Sequence, residues 1–393
     1  MNAGWRAHLF DWQPGTARRL IADWCAGVAL LVAALFAFSA TTRLAARTLF
    51  LLPSFFAQLP GSPETLISPA PVRTVVDLPP VDGFVRAHVY APPRGRHPAL
   101  VISLGIGPAP PDDPRVVRLL DGFARDGLVA ILVQSEALDN DTLAPDLPRA
   151  LVEAVQYAAT RPDVRADAIG LFGFSVGGSL AIAAAADPAI AGTLRAVDAF
   201  GAYARLDDAI VSIASRTMVE SGRILPWMPD DRSVEHLVNA LTGALPDQTE
   251  AEALRRAILD SAPLGRDPST LSAQGRAILA LMNARGDPAA ARRALAGLPS
   301  VFAADDAALS PLALLGRVRA PLFVMYDRDD PLLPPEGSRQ ICAAARDAGL
   351  QPYCSAFSIF KHVEPGHLTN PLTLSRDLIA LFLHTVAVLN RLR

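Results

Sequence analysis

Short apolar runs alternate with amphipathic stretches over two parts of the chain, and the long interval between them carries helical periodicity alone. In the first part, strands are predicted at 72–78, 84–90 and 99–104. The third of these is a continuous apolar run, as expected of a strand buried on both faces, and it ends in Gly105-Ile106-Gly107-Pro108. A helix follows near 114–126, with Val117, Leu120, Phe123 and Ala124 on one face. The pattern continues with a strand at 128–133, a helix at 147–160, a short strand at 168–172 opening an alanine-rich helix, and a strand at 194–200. Between 205 and 308 the strand signal stops, and helices are predicted at 250–261, 271–285 and 288–297. Alternation then resumes with a strand at 321–326, a helix at 336–348, a strand at 352–359 and a long helix at 372–392. Strand–helix alternation with apolar strands predicts an α/β fold with a mostly parallel central sheet covered by helices on both faces. Residues 72–204 and 309–393 then form one core, into which 205–308 inserts as a helical cap.

The first 71 residues follow a different pattern. Residues 24–42 run for nineteen positions without a charge, long enough to span a bilayer. Arg6, Arg18 and Arg19 precede this run and Arg43 and Arg47 follow it, which favours an inside N-terminus and an exported bulk. An uncleaved membrane anchor is the expectation. A signal peptide cleaved near Ala37 and Ser39, leaving a secreted protein, is the rival. Residues 49–59 are apolar again but broken by Pro53, and suit a membrane interface or the surface of the domain. Residues 1–60 are thus assigned to the anchor region. The Pro/Ser/Gly-rich stretch 61–71 reads as a linker.

Composition narrows the function. Half of the residues are hydrophobic (51%) and the net charge is −3, so a large core is available and no basic field points to nucleic acid. Lys361 is the only lysine. Three cysteines, Cys25, Cys342 and Cys354, show no C-x-x-C spacing and no accompanying histidine cluster, which argues against a zinc site. Cys342 and Cys354 lie close enough in sequence to bridge in an oxidising compartment and otherwise stand as two buried thiols.

The candidate chemistry centres on Gly173-Phe-Ser175-Val-Gly177-Gly178, between a predicted strand and a predicted helix. That context is the one a nucleophile elbow requires. A serine hydroxyl is a weak nucleophile until a base takes its proton, and the base needs an acid to hold its tautomer. With Ser175 first in chain order, the base is His362, His367 or His384. His362 closely follows the last strand, His367 lies in the same loop, and His384 falls inside the apolar final helix. The acid belongs on the loop leaving the strand at 321–326, where Asp327, Asp329 and Asp330 crowd. The amide of Val176, at the helix start, and that of Ile106, in the glycine-flanked loop beside Gly105, are candidate oxyanion donors. In the cap, Ile224-Leu-Pro-Trp-Met-Pro229 is an apolar cluster suited to lining a pocket.

Three segments together resemble the α/β-hydrolase superfamily, and within it the dienelactone-hydrolase-like branch: the elbow at 173–178, Ala320-Pro-Leu-Phe-Val-Met-Tyr-Asp-Arg-Asp-Asp-Pro-Leu-Leu-Pro334, and Phe360-Lys-His-Val-Glu-Pro365. The resemblance covers roughly 72–204 and 309–393 and implies the order nucleophile, acid, base. It implies Asp330 as the acid. Asp327 departs from the glycine usual at its position, and Leu-Gly-Ile-Gly replaces the usual His-Gly of the oxyanion loop. The expected activity is hydrolysis of a small-molecule carboxylic ester by Ser175, Asp330 and His362, without a cofactor. Acyl transfer, thioester or peptide cleavage by the same residues, and a non-catalytic binding protein on the same fold, are the alternatives.

Overall fold

The computed structural model describes residues 39–56, 63–265, 267–298, 307–366 and 370–393. Its eight-stranded sheet comprises β1 (Val72–Leu78), β2 (Val85–Ala91), β3 (His97–Ser103), β4 (Val129–Ser135), β5 (Val164–Phe174), β6 (Leu194–Phe200), β9 (Leu322–Asp327) and β10 (Tyr353–Phe357). Their order is β1-β2-β4-β3-β5-β6-β9-β10. β2 pairs antiparallel with both β1 and β4, and every later pairing in the sheet is parallel.

Two cores result from the alternation of side chains along each strand. Val101 and Ile131 face one core, while Leu100, Ile102 and Leu132 face the other. The first core is closed by α3 (Leu147–Thr160), α4 (Val176–Ala185) and α10 (Pro335–Asp347), and it continues into the cap. The second is closed by α1 (Ala40–Leu51), α2 (Pro114–Arg125) and α11 (Pro371–Leu392). Local capping signals start several of these helices. Asp113 accepts the Arg115 amide and Asn370 accepts the Leu372 amide, each at the cap before a proline-led first turn.

The inserted region contains α5 (Leu206–Ser215), α6 (Asp231–Gly243), α7 (Gln248–Leu259), α8 (Ala273–Met282) and α9 (Pro288–Leu295). The expectation of helices alone is corrected here. A hairpin, β7 (Thr217–Glu220) with β8 (Arg223–Pro226), stands between α5 and α6. Its turn is Ser221-Gly222, both at positive φ, the geometry of a two-residue hairpin turn. Strands of four residues are too short to stand out by periodicity.

The N-terminal region also differs from a separate anchor and linker. The stretch 24–42 lies outside the described residues except for Ser39–Thr42, where the Ser39 hydroxyl accepts the Thr42 amide and caps α1. Residues 40–56 pack onto the core: Leu51 is fully buried, and Phe55 meets Phe123 edge-on at 5.7 Å. Within 61–71, Glu64–Ile67 forms a helical turn with Glu64 buried. Among the described residues one helix, α11, is long and apolar enough to cross a membrane. It lies across the sheet with His384, Leu381 and Leu389 buried against it. Cys342 on α10 and Cys354 on β10 form a disulfide, with Cα atoms 6.5 Å apart.

Candidate active site

β5 runs out of sheet at Phe174, and Ser175 takes the turn before α4 with φ 55° and ψ −133°. This is a backbone region that L-residues occupy at a cost of about 1–3 kcal/mol and only where the surroundings enforce it. The Ser175 amide donates to the Phe200 carbonyl at 2.7 Å, pinning the turn to the end of β6. Close approach explains the two flanking glycines. A Cβ on Gly173 would sit 2.0 Å from the Gly177 carbonyl oxygen, and one on Gly177 would sit 2.7 Å from the Ser103 carbonyl oxygen. No side chain fits at either position.

His362 lies in the turn of a small hairpin, β11 (Phe360–Lys361) with β12 (Glu364–Pro365). Its Nδ1 donates to Asp330 Oδ2 at 2.6 Å, and both side chains are almost wholly buried. The other Asp330 oxygen accepts the amides of Leu332 and Leu333 at 2.8 and 3.0 Å. This carboxylate is held from both sides. With Nδ1 committed to Asp330, His362 Nε2 is the remaining ring nitrogen, and it is buried without a partner among the described residues.

The other acids have different surroundings. Asp329 is exposed. Asp327 is the last residue of β9 rather than a loop residue, and its carboxylate accepts the amides of Asp329 and His362 at 3.2 and 3.3 Å. It thereby fixes the backbone of His362, whose φ is +66°. Burial pushes the Asp327 carboxyl up to about 6, and the neighbouring Asp330 and Asp329 charges add to the rise. The amides of Asp329 and His362 oppose it. Among the alternative bases, His367 lies outside the described residues. His384 is fully buried on α11, with Nε2 3.2 Å from Asp198 and Nδ1 2.9 Å from the Ser355 hydroxyl. It lines no described cavity.

Ser175, Val176, Ile106 and His362 share one cavity of about 350 Å³. Gly105 brings the loop after β3 against the elbow, since a Cβ there would lie 3.2 Å from the Val176 amide nitrogen. Among the described residues, neither the Ile106 nor the Val176 amide donates to another backbone group. The walls are mainly apolar. Phe174, Phe200 and Leu119 come from the core, Ile210 and Ile213 from α5, and Leu237 and Ala240 from α6. Ser54 and Phe55 add a wall from the N-terminal region.

The cluster Ile224–Pro229 does not line this cavity, which corrects the pocket role expected of it. Ile224 and Met228 are exposed. Trp227 instead donates its indole N–H to the Asp330 carbonyl at 2.9 Å. Nearby, the Asp230 amide donates to the Pro331 carbonyl at 2.7 Å and the Ser233 hydroxyl to the Leu332 carbonyl at 2.8 Å. The cap is therefore fastened to the acid loop by three hydrogen bonds. Sequence reasoning missed these contacts because they join positions about a hundred residues apart. The indole of Trp227 was the one available hint, since a buried indole N–H finds an acceptor.

The strand order, the single antiparallel strand within the parallel series, and a serine at the turn from β5 into α4 together define an α/β-hydrolase fold. No protein-family model matches the chain, and no curated protein matches it in sequence. Similar solved structures include a hyperthermophilic esterase from Pyrobaculum calidifontis, at 17% identity over 88% of this chain and 90% of that one, with a TM-score of 0.45. A puromycin-hydrolyzing peptidase from Mycobacterium tuberculosis is similar at 16% identity over 85% of this chain, with a TM-score of 0.48. The acylaminoacyl peptidase of Pyrococcus horikoshii is similar at 12% identity over 74% of this chain, with a TM-score of 0.42. The chain spans 41% and 37% of the length of these two peptidases.

Proposed function

We propose that the protein is a serine hydrolase that cleaves carboxylic esters with an apolar acyl or alkyl group. In this reading Ser175 Oγ attacks the ester carbonyl while His362 Nε2 takes its proton. Asp330 holds the imidazole in the tautomer that leaves Nε2 able to accept, and it stabilises the imidazolium that forms. The Val176 and Ile106 amides receive the developing oxyanion, each worth roughly 3 kcal/mol in well-studied sites. His362 then protonates the departing alcohol, and water releases the acyl group by the same route in reverse.

The reading rests above all on the 2.6 Å contact of His362 with Asp330, which leaves a buried, unpartnered Nε2 at the wall of the cavity that also holds Ser175. The apolar walls support an apolar substrate portion, because such a pocket binds by area and uses few polar groups for orientation. The Cys342–Cys354 disulfide supports an oxidising compartment. With the uncharged stretch 24–42 it fits a catalytic domain exported while tethered to a membrane.

Labelling with a fluorophosphonate tests this directly. Wild type should label and Ser175→Ala should not. A folded wild type that fails to label sinks the proposal, and equal labelling of Ser175→Ala assigns the wrong nucleophile. A panel of p-nitrophenyl esters and thioesters of rising chain length then reads the preferred acyl group.

A further inference from the structure

A second histidine–carboxylate pair borders the same cavity on the oxyanion side. His236, on cap helix α6, lines the cavity and pairs through Nδ1 with Asp141 Oδ1 at 2.8 Å. Asn239, one turn further along α6, donates to the other Asp141 oxygen at 2.9 Å. Asp141 is itself buried and adopts φ +55° just after the helical turn Glu136–Asp139. One carboxylate on the core thus receives two side chains from one cap helix.

The His236 ring lies directly over Gly107, the residue after Ile106. A Cβ on Gly107 would sit 2.1 Å from His236 Cε1. From the other side, the Gly107 amide donates to the Leu138 carbonyl at 2.9 Å. Gly107 is therefore clamped between the cap and the turn that carries Asp141, and the Ile106–Gly107 peptide has little freedom to rotate, which in turn restrains the Gly105–Ile106 peptide that carries the Ile106 N–H. That matters because an oxyanion donor acts only if it is aimed before the charge develops.

We propose that His236 is a positioning residue for the oxyanion loop: held by Asp141 and laid over Gly107, it fixes the aim of the Ile106 amide. The cap then completes the catalytic geometry as well as enclosing the substrate. This inference rests on the serine-hydrolase reading above.

The test is a double-mutant cycle on His236→Ala and Gly107→Ala with p-nitrophenyl butyrate, with active sites counted by fluorophosphonate titration. His236→Ala should lower kcat by about tenfold to a hundredfold with KM nearly unchanged, the pattern of a lost transition-state interaction. Affinity for an aryl trifluoromethyl ketone, whose adduct with Ser175 places an oxyanion in the hole, should fall in parallel. Gly107→Ala should cost at least about tenfold more in the wild-type background than in His236→Ala, because removing the ring frees the space the new methyl needs. The backbone strain of alanine at that φ is common to both backgrounds and cancels. Should His236→Ala not fold, Asp141→Asn keeps the side-chain shape and the left-handed backbone, and a several-fold loss of kcat at constant KM is expected of it. Equal effects of Gly107→Ala in both backgrounds, or a lower Tm with kcat and ketone affinity intact, would overturn the inference. Normal labelling of Ser175 with these results removes the positioning role alone. No labelling of wild type removes the hydrolase reading and this inference with it.

Discussion

Two constellations of serine, histidine and aspartate, one at the strand ends and one beneath a helix, have opposite characters. At the strand ends, Asp330 and His362 leave Nε2 without a protein partner beside the cavity that holds Ser175. Beneath α11, His384 uses both ring nitrogens, one towards Asp198 and one towards the hydroxyl of Ser355. The rings of Phe323 and Tyr353 close around it at 5.8 and 5.3 Å. The second set is a saturated polar network that joins α11 to β6 and β10. The first has one bond left unmade. The same three residue types therefore make a structural rivet or a candidate active site, depending on strain at the serine, an unpartnered ring nitrogen on the histidine and an adjoining cavity.

The comparison breaks most visibly at the serines. Ser175→Ala should lower the hydrolysis rate by at least about ten-thousandfold, whereas Ser355→Ala should leave the rate per folded molecule within about twofold. Comparable losses in both would erase the distinction. At the histidines, His362→Ala should cost about a thousandfold or more in kcat with the fold intact. His384→Ala should leave labelling of Ser175 unaltered while destabilising the protein by about 3 kcal/mol, because Asp198 is left buried without its partner. A His384→Ala protein that is stable but inactive would reverse the assignments. Serine replacement of Cys342 and Cys354 should also cost about 3 kcal/mol for a closed loop of this length. Calorimetry with and without reductant measures it, and unchanged melting on reduction would contradict a structural bridge.

The smallest effect concerns Asp327. Its folded-state value, about 6, lies above the ordinary carboxylate value of 3.8. A group raised in this way contributes stability that is present below the ordinary value and is lost as pH rises through about 6. The stability difference between wild type and Asp327→Asn should therefore move in the variant's favour between about pH 4 and about pH 7. Denaturation midpoints across that range that keep a constant difference would show that Asp327 does not ionise against its burial.

What was legible in the sequence follows from how far each signal reaches along the chain. The elbow was legible because strand, turn glycines and helix are contiguous, and their steric demands fall within a few residues of Ser175. The pairing of Asp330 with His362 was legible only with the resemblance to a known fold, since periodicity alone left three acids and three histidines open. The role of Asp327 was hidden because its amide contacts depend on how β9 ends beside the His362 hairpin. The cap hairpin was missed because four-residue strands carry almost no periodicity, although Ser221-Gly222 between Glu220 and Arg223 is a turn signal. Trp227, His236 and Asp141 were missed for a shared reason. Their partners lie about a hundred positions away, beyond the reach of any local pattern.

Ser54 and Phe55 give the N-terminal region a second role. The stretch that leads from residue 40 into the first strand is also a wall of the cavity, held there by Leu51, by Phe56 stacked on Phe360 at 6.3 Å, and by Arg118 donating to the Pro53 carbonyl. The approach to the first strand and a wall of the cavity are thus the same piece of chain. A shortened protein designed to begin at β1 would keep Ser175, Asp330 and His362 and still lose one side of its pocket.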